Sequence, residues 1–314
     1  MVSTTATLQT ARSAESQRRS GERTTYRART ARTVFVSDLH LGIRQSNIDA
    51  FVVFLQYHQP RHLYLVGDFL DARALRMTRR WQPSWNVVLE TIAELIDNGT
   101  RVAYTPGNHD DYLRHIEIRD CDISIADEFL HRTVDGRRVA VLHGDQFDEV
   151  EHRAHWLSMV GSIAYTILLA IDRAMNRVLV AAGFRPRRLS RFLKQNCKRL
   201  VQWFSGFERR VDTHARDRGC DVIVCGHIHI PAVRRFDDQI LYFNLGDWIE
   251  NATGLVEYGD GELELVDMER DRHGYAAVFD RMLSSSKPAT LSRRARSIRD
   301  ALCEGLPFVE FADE

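Results

Sequence analysis

Cysteine is scarce in this sequence. The 314 residues hold five, Cys121, Cys197, Cys220, Cys225 and Cys303, odd in number and without a Cys-x-x-Cys spacing. That argues against a disulfide frame and against a thiolate zinc site, and it favours a reducing, cytoplasmic compartment. A long apolar run is missing too. The most apolar stretch, 159–171, gives way after thirteen residues to Asp172 and Arg173, which is too short to cross a bilayer and fits a buried or interfacial helix. The first 32 residues carry seven Arg, two Glu and no apolar core of the secretory kind, so they read as a disordered basic arm. Net charge is absent as well, with 43 basic and 43 acidic residues. The balance hides an asymmetry: residues 150–216 hold thirteen Lys and Arg against four acids, an excess of nine that the remainder cancels. A basic block on an acidic body points to an anionic partner.

What is present is a core-forming composition, 44% apolar and 27% charged, suited to one large α/β domain. From Thr33 onward, short apolar runs alternate with amphipathic ones in the rhythm of β-α-β units. Segments 34–36, 63–66, 102–104, 139–142 and 222–225 read as buried strands. Segments 47–58 and 85–98 read as helices, the second closing on Gly99. Between His143 and the next strand at 222 most residues carry helical periodicity, which predicts a helical cap insertion at about 150–216. Further strands are expected at 240–243, 253–258 and 262–266, with Gly259-Asp260-Gly261 as a hairpin turn. The domain is expected to span 33–270, followed by an Arg-rich C-terminal extension, 271–314.

Chemistry concentrates where the strands end. Asp38-Leu39-His40, Gly67-Asp68, Gly107-Asn108-His109-Asp110, His143-Gly144-Asp145 and Gly226-His227-Ile228-His229 each follow a predicted strand. Singly, each fits a turn or a cap, and His227 and His229 on a strand would form a structural pair on one face. Together they place oxygen and imidazole donors at five strand ends, and burying so many ionisable groups without a cation is costly. The donor set suits Mn, Fe, Co, Zn or Mg, with Mn the preferred choice.

These five blocks, in this order over residues 33–247, resemble the calcineurin-like metallophosphoesterase superfamily. The resemblance implies a two-sheet α/β sandwich flanked by helices and two divalent metal ions. It assigns Asp38, His40 and His229 to one ion, Asn108, His143 and His227 to the other, and Asp68 to both. Paired ions of this kind activate water for in-line attack on phosphorus. His109 is similar to the family's catalytic histidine, stabilising phosphoryl charge or protonating the leaving oxygen, with Asp110 orienting it.

Within the superfamily, the SDLHLG start, GDFLD, HGDQFD, the cap, GHIHIP and the block Asn244-Leu245-Gly246-Asp247-Trp248 resemble the UDP-2,3-diacylglucosamine pyrophosphatases of lipid A biosynthesis. Those enzymes carry Arg where this chain has His109, so the chain resembles a sister branch. The cap joins apolar Trp156, Leu157, Ile163, Tyr165, Leu168 and Leu169 to a basic run that includes Arg187, Arg188, Arg191 and Lys194. That combination suits a lipid tail beside an anionic headgroup at the inner face of a bacterial membrane; equally, the apolar face packs on the body and the arginines are solvated. Asp71, Arg76, Arg79 and Arg80 are expected to line the substrate entrance or a charged surface loop. The expected function is hydrolysis of a lipid-linked nucleotide pyrophosphate. A nuclease or nucleotide phosphodiesterase is the alternative, with the basic cap gripping nucleic acid, and a non-catalytic scaffold on the same fold is a third. Oligomeric state is not legible in the sequence.

Overall fold

The computed structural model describes residues 31–115, 122–147, 206–237, 239–284 and 290–311. The cap up to residue 205, with Arg187, Arg188, Arg191 and Lys194, and the N-terminal arm up to residue 30 lie outside the described residues.

Two sheets face each other. The first has the order β11-β10-β1-β2-β3-β4 and the second β5-β6-β7-β9-β8. The first contains β1 (Ala31–Val36), β2 (His62–Val66), β3 (Arg101–Thr105), β4 (Ile123–Ile125), β10 (Thr253–Tyr258) and β11 (Leu263–Asp267). The second contains β5 (Phe129–Arg132), β6 (Arg138–Val141), β7 (Val222–Cys225), β8 (Ala232–Phe236) and β9 (Ile240–Asn244). At the centre of each, three strands run parallel: β1, β2 and β3 in one, β6, β7 and β9 in the other.

Alternation along these strands explains the layering. Phe35, Val66, Val139, Val141, Val222, Val224 and Phe243 fill the space between the sheets. Val34, Val36, Leu63 and Leu65 point the other way, onto the helices. Because both faces are covered, the central strands read as continuous apolar runs. Helix α1 (Ile48–His58) starts where the Asn47 side chain accepts the Ala50 N–H at 3.2 Å, an ordinary N-cap. Helices α2 (Ala72–Thr78) and α3 (Asn86–Asp97) follow, and α3 ends where Gly99, at φ +93°, lets the Thr100 N–H reach the Leu95 carbonyl. Helix α4 (Phe207–Asp217) packs Phe207, Val211 and Ala215 on the outer face of the second sheet.

The segment expected as a C-terminal extension is built into the body. Helices α5 (Arg272–Ser284) and α6 (Arg293–Cys303) bring Tyr275, Ile298 and Leu302 into the same core as α1 and α3. The Glu310 backbone then pairs with Arg79 and Trp81. Strand β1 begins at Ala31, inside the stretch read as a disordered arm. Among the described residues no helix is long and apolar enough to cross a membrane.

One polar group lies at the end of the sandwich where β1 begins. Glu257 on β10 is fully buried and accepts from the Arg32 guanidinium at 2.6 Å, the Thr33 hydroxyl at 2.5 Å and the Val134 N–H at 2.8 Å. It also bonds His131 Nε2 of the opposite sheet at 2.9 Å. Burial alone would raise this carboxyl, but the bonds from His131, Thr33, Val134 and Arg32 outweigh it and hold the pKa at about 2, below its ordinary 4.5. The stabilisation from its charge is therefore present above pH 4.5 and is lost as pH falls towards 2. Glu257→Gln should cost about 2 kcal/mol at pH 7 in urea unfolding, and the gap to wild type should narrow between pH 4.5 and 3.

Candidate metal centre

The carboxyl ends of the parallel strands meet at the other end of the sandwich, and the chain leaves them through an unusual backbone. Asp38, His40, Asp68, His227 and His229 all have positive φ, between 50° and 67°. Non-glycine residues rarely adopt that conformation, and it clusters where side chains must be aimed. His227 and His229 thus lie in a turn beyond β7, as their place after the predicted strand implies, and not as a structural pair on a strand face. Glycine is required beside them for space. A Cβ on Gly67 would fall 2.2 Å from His143 Nδ1, and one on Gly226 would fall 2.3 Å from Asp38 Oδ2.

These turns bring all seven expected ligand residues into one cluster. His229 Nε2 lies 3.1 Å from Asp38 Oδ1, His40 Nε2 lies 3.7 Å from the same oxygen, and the two Nε2 atoms are 3.4 Å apart. His40 Nε2 is also 3.8 Å from Asp68 Oδ2. On the other side of Asp68, His143 Nε2 stands 3.4 Å from Asp68 Oδ2 and 3.3 Å from Asn108 Oδ1. His227 Nδ1 lies 3.0 Å from Asn108 Oδ1. Further out, His143 Nδ1 bonds the Val66 carbonyl at 3.0 Å and His229 Nδ1 bonds Asp247 at 3.0 Å, so both imidazoles turn Nε2 inward.

The electrostatics call for cations. Burial disfavours charge on Asp38, yet His229 and His40 hold its carboxyl well below the usual range. Burial likewise works against a charged His40, but Asp38, Asp71 and Asp68 hold its pKa up at about 10. His143 is raised in the same way, chiefly by Asp68. Carboxylates that retain protons on neighbouring imidazoles offer the same attraction to a metal ion. Asp38 Oδ1 is buried without a hydrogen-bonding partner, and the ligand atoms of Asp38, His40, Asp68 and His229 all fall within 4.8 Å of one another. Oxygen and imidazole donors with no thiolate fit a divalent ion of hard or intermediate character.

The sequence matches the calcineurin-like phosphoesterase family over residues 31–231. The chain belongs to that family. A phosphoesterase of this kind is a metal-dependent phosphohydrolase, and the two-sheet sandwich with flanking helices is its fold. The chain is similar to the UDP-2,3-diacylglucosamine hydrolase of Aromatoleum aromaticum, 28% identical over 235 residues that cover 73% of this chain and 94% of the relative. It is also similar to the hydrolase of that name from Stenotrophomonas maltophilia, 26% identical over 249 residues, 76% of this chain and 99% of the relative. A solved phosphoesterase from E. coli shares 14% identity and aligns with a TM-score of 0.35 over 74% of this chain and 97% of its own.

Two residues of this phosphoesterase sit otherwise than expected. The Asp110 carboxylate is turned to the backbone and not to the His109 ring. It is fully buried and accepts the N–H groups of Gly107 at 2.6 Å, Leu70 at 3.2 Å and Asp68 at 3.3 Å, together with the Tyr104 hydroxyl. Burial and the neighbouring Asp68 charge raise its pKa to about 6. The group beside His109 is Asp71, whose Oδ2 is 3.1 Å from His109 Nδ1 and 3.6 Å from His40 Nδ1. Asp71 is buried, not a surface loop residue, and it also caps α2 through the Ala74 N–H at 2.7 Å. The signal for this was its place three residues after Asp68, ahead of an amphipathic run. Arg76, Arg79 and Arg80 are exposed, with Arg76 over the Phe308 ring and Arg79 closing α2. Asp247 and Asn251, absent from the expected site, both bond His229.

Asp110→Ala should strip three buried N–H groups and a hydroxyl of their acceptor and cost about 3 kcal/mol or more. Urea unfolding of the metal-free protein reads this directly. A catalytic role without a structural one would leave that curve unchanged.

Proposed function

We propose that the chain is a two-metal hydrolase of a lipid-linked nucleotide pyrophosphate, UDP-2,3-diacylglucosamine or a close analogue. The observation that carries the two-metal part is the position of Asp68, which has His40 on one side and His143 on the other. Asp38, His40 and His229 would hold one ion, Asn108, His143 and His227 the second, and Asp68 both. Manganese is the preferred ion, and Fe, Co, Zn and Mg suit the same donors. When bound, such ions acidify water and neutralise phosphate oxygens during in-line displacement.

The protein's own part follows from geometry. Asp71 at Nδ1 fixes the ring of His109, whose side chain remains 30% exposed. Asp68 and Asp71 together outweigh the effect of burial and raise the pKa of His109. A protonated imidazole held there can steady the phosphoryl charge or protonate the leaving oxygen. Asp110 keeps the 107–110 turn closed against Asp68 and Leu70, which holds His109 and Asn108 in register.

The substrate rests on the two relatives, both named for UDP-2,3-diacylglucosamine, and on the basic excess of residues 150–216. That segment would contact the headgroup or the inner face of the membrane. A cytoplasmic location is supported by Cys220, Cys225 and Cys303, all free and buried.

With Mn present, the purified chain should release UMP from UDP-2,3-diacylglucosamine, followed by chromatography, and Asp68→Ala should abolish this. Turnover of nucleic acid or simple diesters alone would leave a phosphohydrolase and overturn the lipid substrate. His109→Ala should lower kcat by about 10²- to 10⁴-fold with Mn affinity retained.

A further inference from the structure

The block Asn244–Trp248 leaves one acid without a part in the chemistry above. Asp247 lies just beyond β9 and is fully buried. Its Oδ1 accepts three backbone N–H groups, from Ile249 at 3.0 Å, Glu250 at 2.7 Å and Asn251 at 3.1 Å. Its Oδ2 faces His229 Nδ1 at 3.0 Å. A carboxylate that receives three N–H groups acts as an acceptor, so the hydrogen in the contact with His229 belongs to the imidazole.

The same turn holds the backbone on both sides of the ligand pair. The Asn251 side chain donates to the His229 carbonyl at 3.0 Å, and the Trp248 N–H donates to the Asp38 carbonyl at 3.1 Å. Both carbonyls belong to residues in left-handed conformations, at φ 55° and 56°. Such conformations persist only where the surroundings over-determine them.

We infer that Asp247 is a positioning residue that fixes His229 as the Nδ1–H tautomer and so presents an unprotonated Nε2, aimed past Asp38 Oδ1 and His40 Nε2, to a divalent cation. This rests on the metal-binding reading of the cluster. The reason is geometric. An imidazole with its proton on Nε2 would point that hydrogen at the place a cation needs, and only a strong acceptor at Nδ1 prevents it. Asp247 differs from the ligands in that its Oδ2 acts on the metal position through the His229 ring, while its Oδ1 holds the turn.

Asp247→Asn separates orientation from stability. Asparagine keeps the size and the Oδ1 acceptor for the three N–H groups, but turns an NH₂ towards His229 Nδ1 and drives the proton to Nε2. Titration calorimetry on the full chain should show Mn binding weakened about 10- to 100-fold, while the melting temperature of the metal-free variant stays close to wild type. Long-range ¹H–¹⁵N spectra of the metal-free wild type should show His229 protonated on Nδ1, a readout that needs no variant. Equal Mn affinity in the two proteins, or His229 without a proton on Nδ1 in the wild type, would overturn the inference and leave the metal centre standing. Failure of the wild type to bind Mn would overturn the metal reading and this inference with it.

Discussion

Two carboxylates, Asp38 and Asp68, are buried side by side at the ends of adjacent parallel strands, and much of the local structure answers to them. Ionised groups withdrawn from water are stable only with opposite charge and donated hydrogen bonds around them. Here the compensation comes from His40, His143 and His229, from the His227 N–H to Asp38 and from the His109 N–H to Asp68. The left-handed turns and the glycines that leave no room for a Cβ serve the same end. They bring five strand ends close enough for imidazole and carboxylate to meet.

The sandwich makes this geometry achievable. Each sheet contributes three parallel strands, and the loops beyond β1, β2 and β3 meet those beyond β6, β7 and β9. One sheet supplies Asp38, His40, Asp68, Asn108 and His109, the other His143, His227 and His229, with Asp247 behind. At the far end Glu257 ties β10 to His131 of the opposite sheet, so the two layers are held together by polar contacts at one end and by the cluster at the other. Outside the cluster, Asp71, Asp110 and Asp247 divide the supporting work. One holds His109, one closes a turn, and one holds His229.

The central strands and the residues of the cluster were legible because two strong signals coincide there. Runs buried on both faces are continuously apolar, and each ends in an acid, histidine or asparagine beside glycine. Strand β8 gave no such signal, since Arg234 and Arg235 are exposed on an edge, and β4 has only three residues. The helices α5 and α6 were not legible as part of the core, because burial falls on a few scattered positions such as Tyr275, Ile298 and Leu302. Roles among the acids were hardest to read. Asp71 and Asp110 each sit near a ligand in sequence and Asp247 does not, yet Asp71 and Asp247 are the ones that face an imidazole, because turn geometry that spacing does not specify decides it. Resemblance supplied the metal assignment, whereas the bonds that separate Asp71 from Asp110 are three-dimensional.

The central claim is that Asp68 stands between two metal positions. Metal content by inductively coupled plasma mass spectrometry, after loading with Mn and removal of unbound ions, tests it most directly. The account predicts two ions per wild-type chain. A single ion per chain, or none, would contradict it.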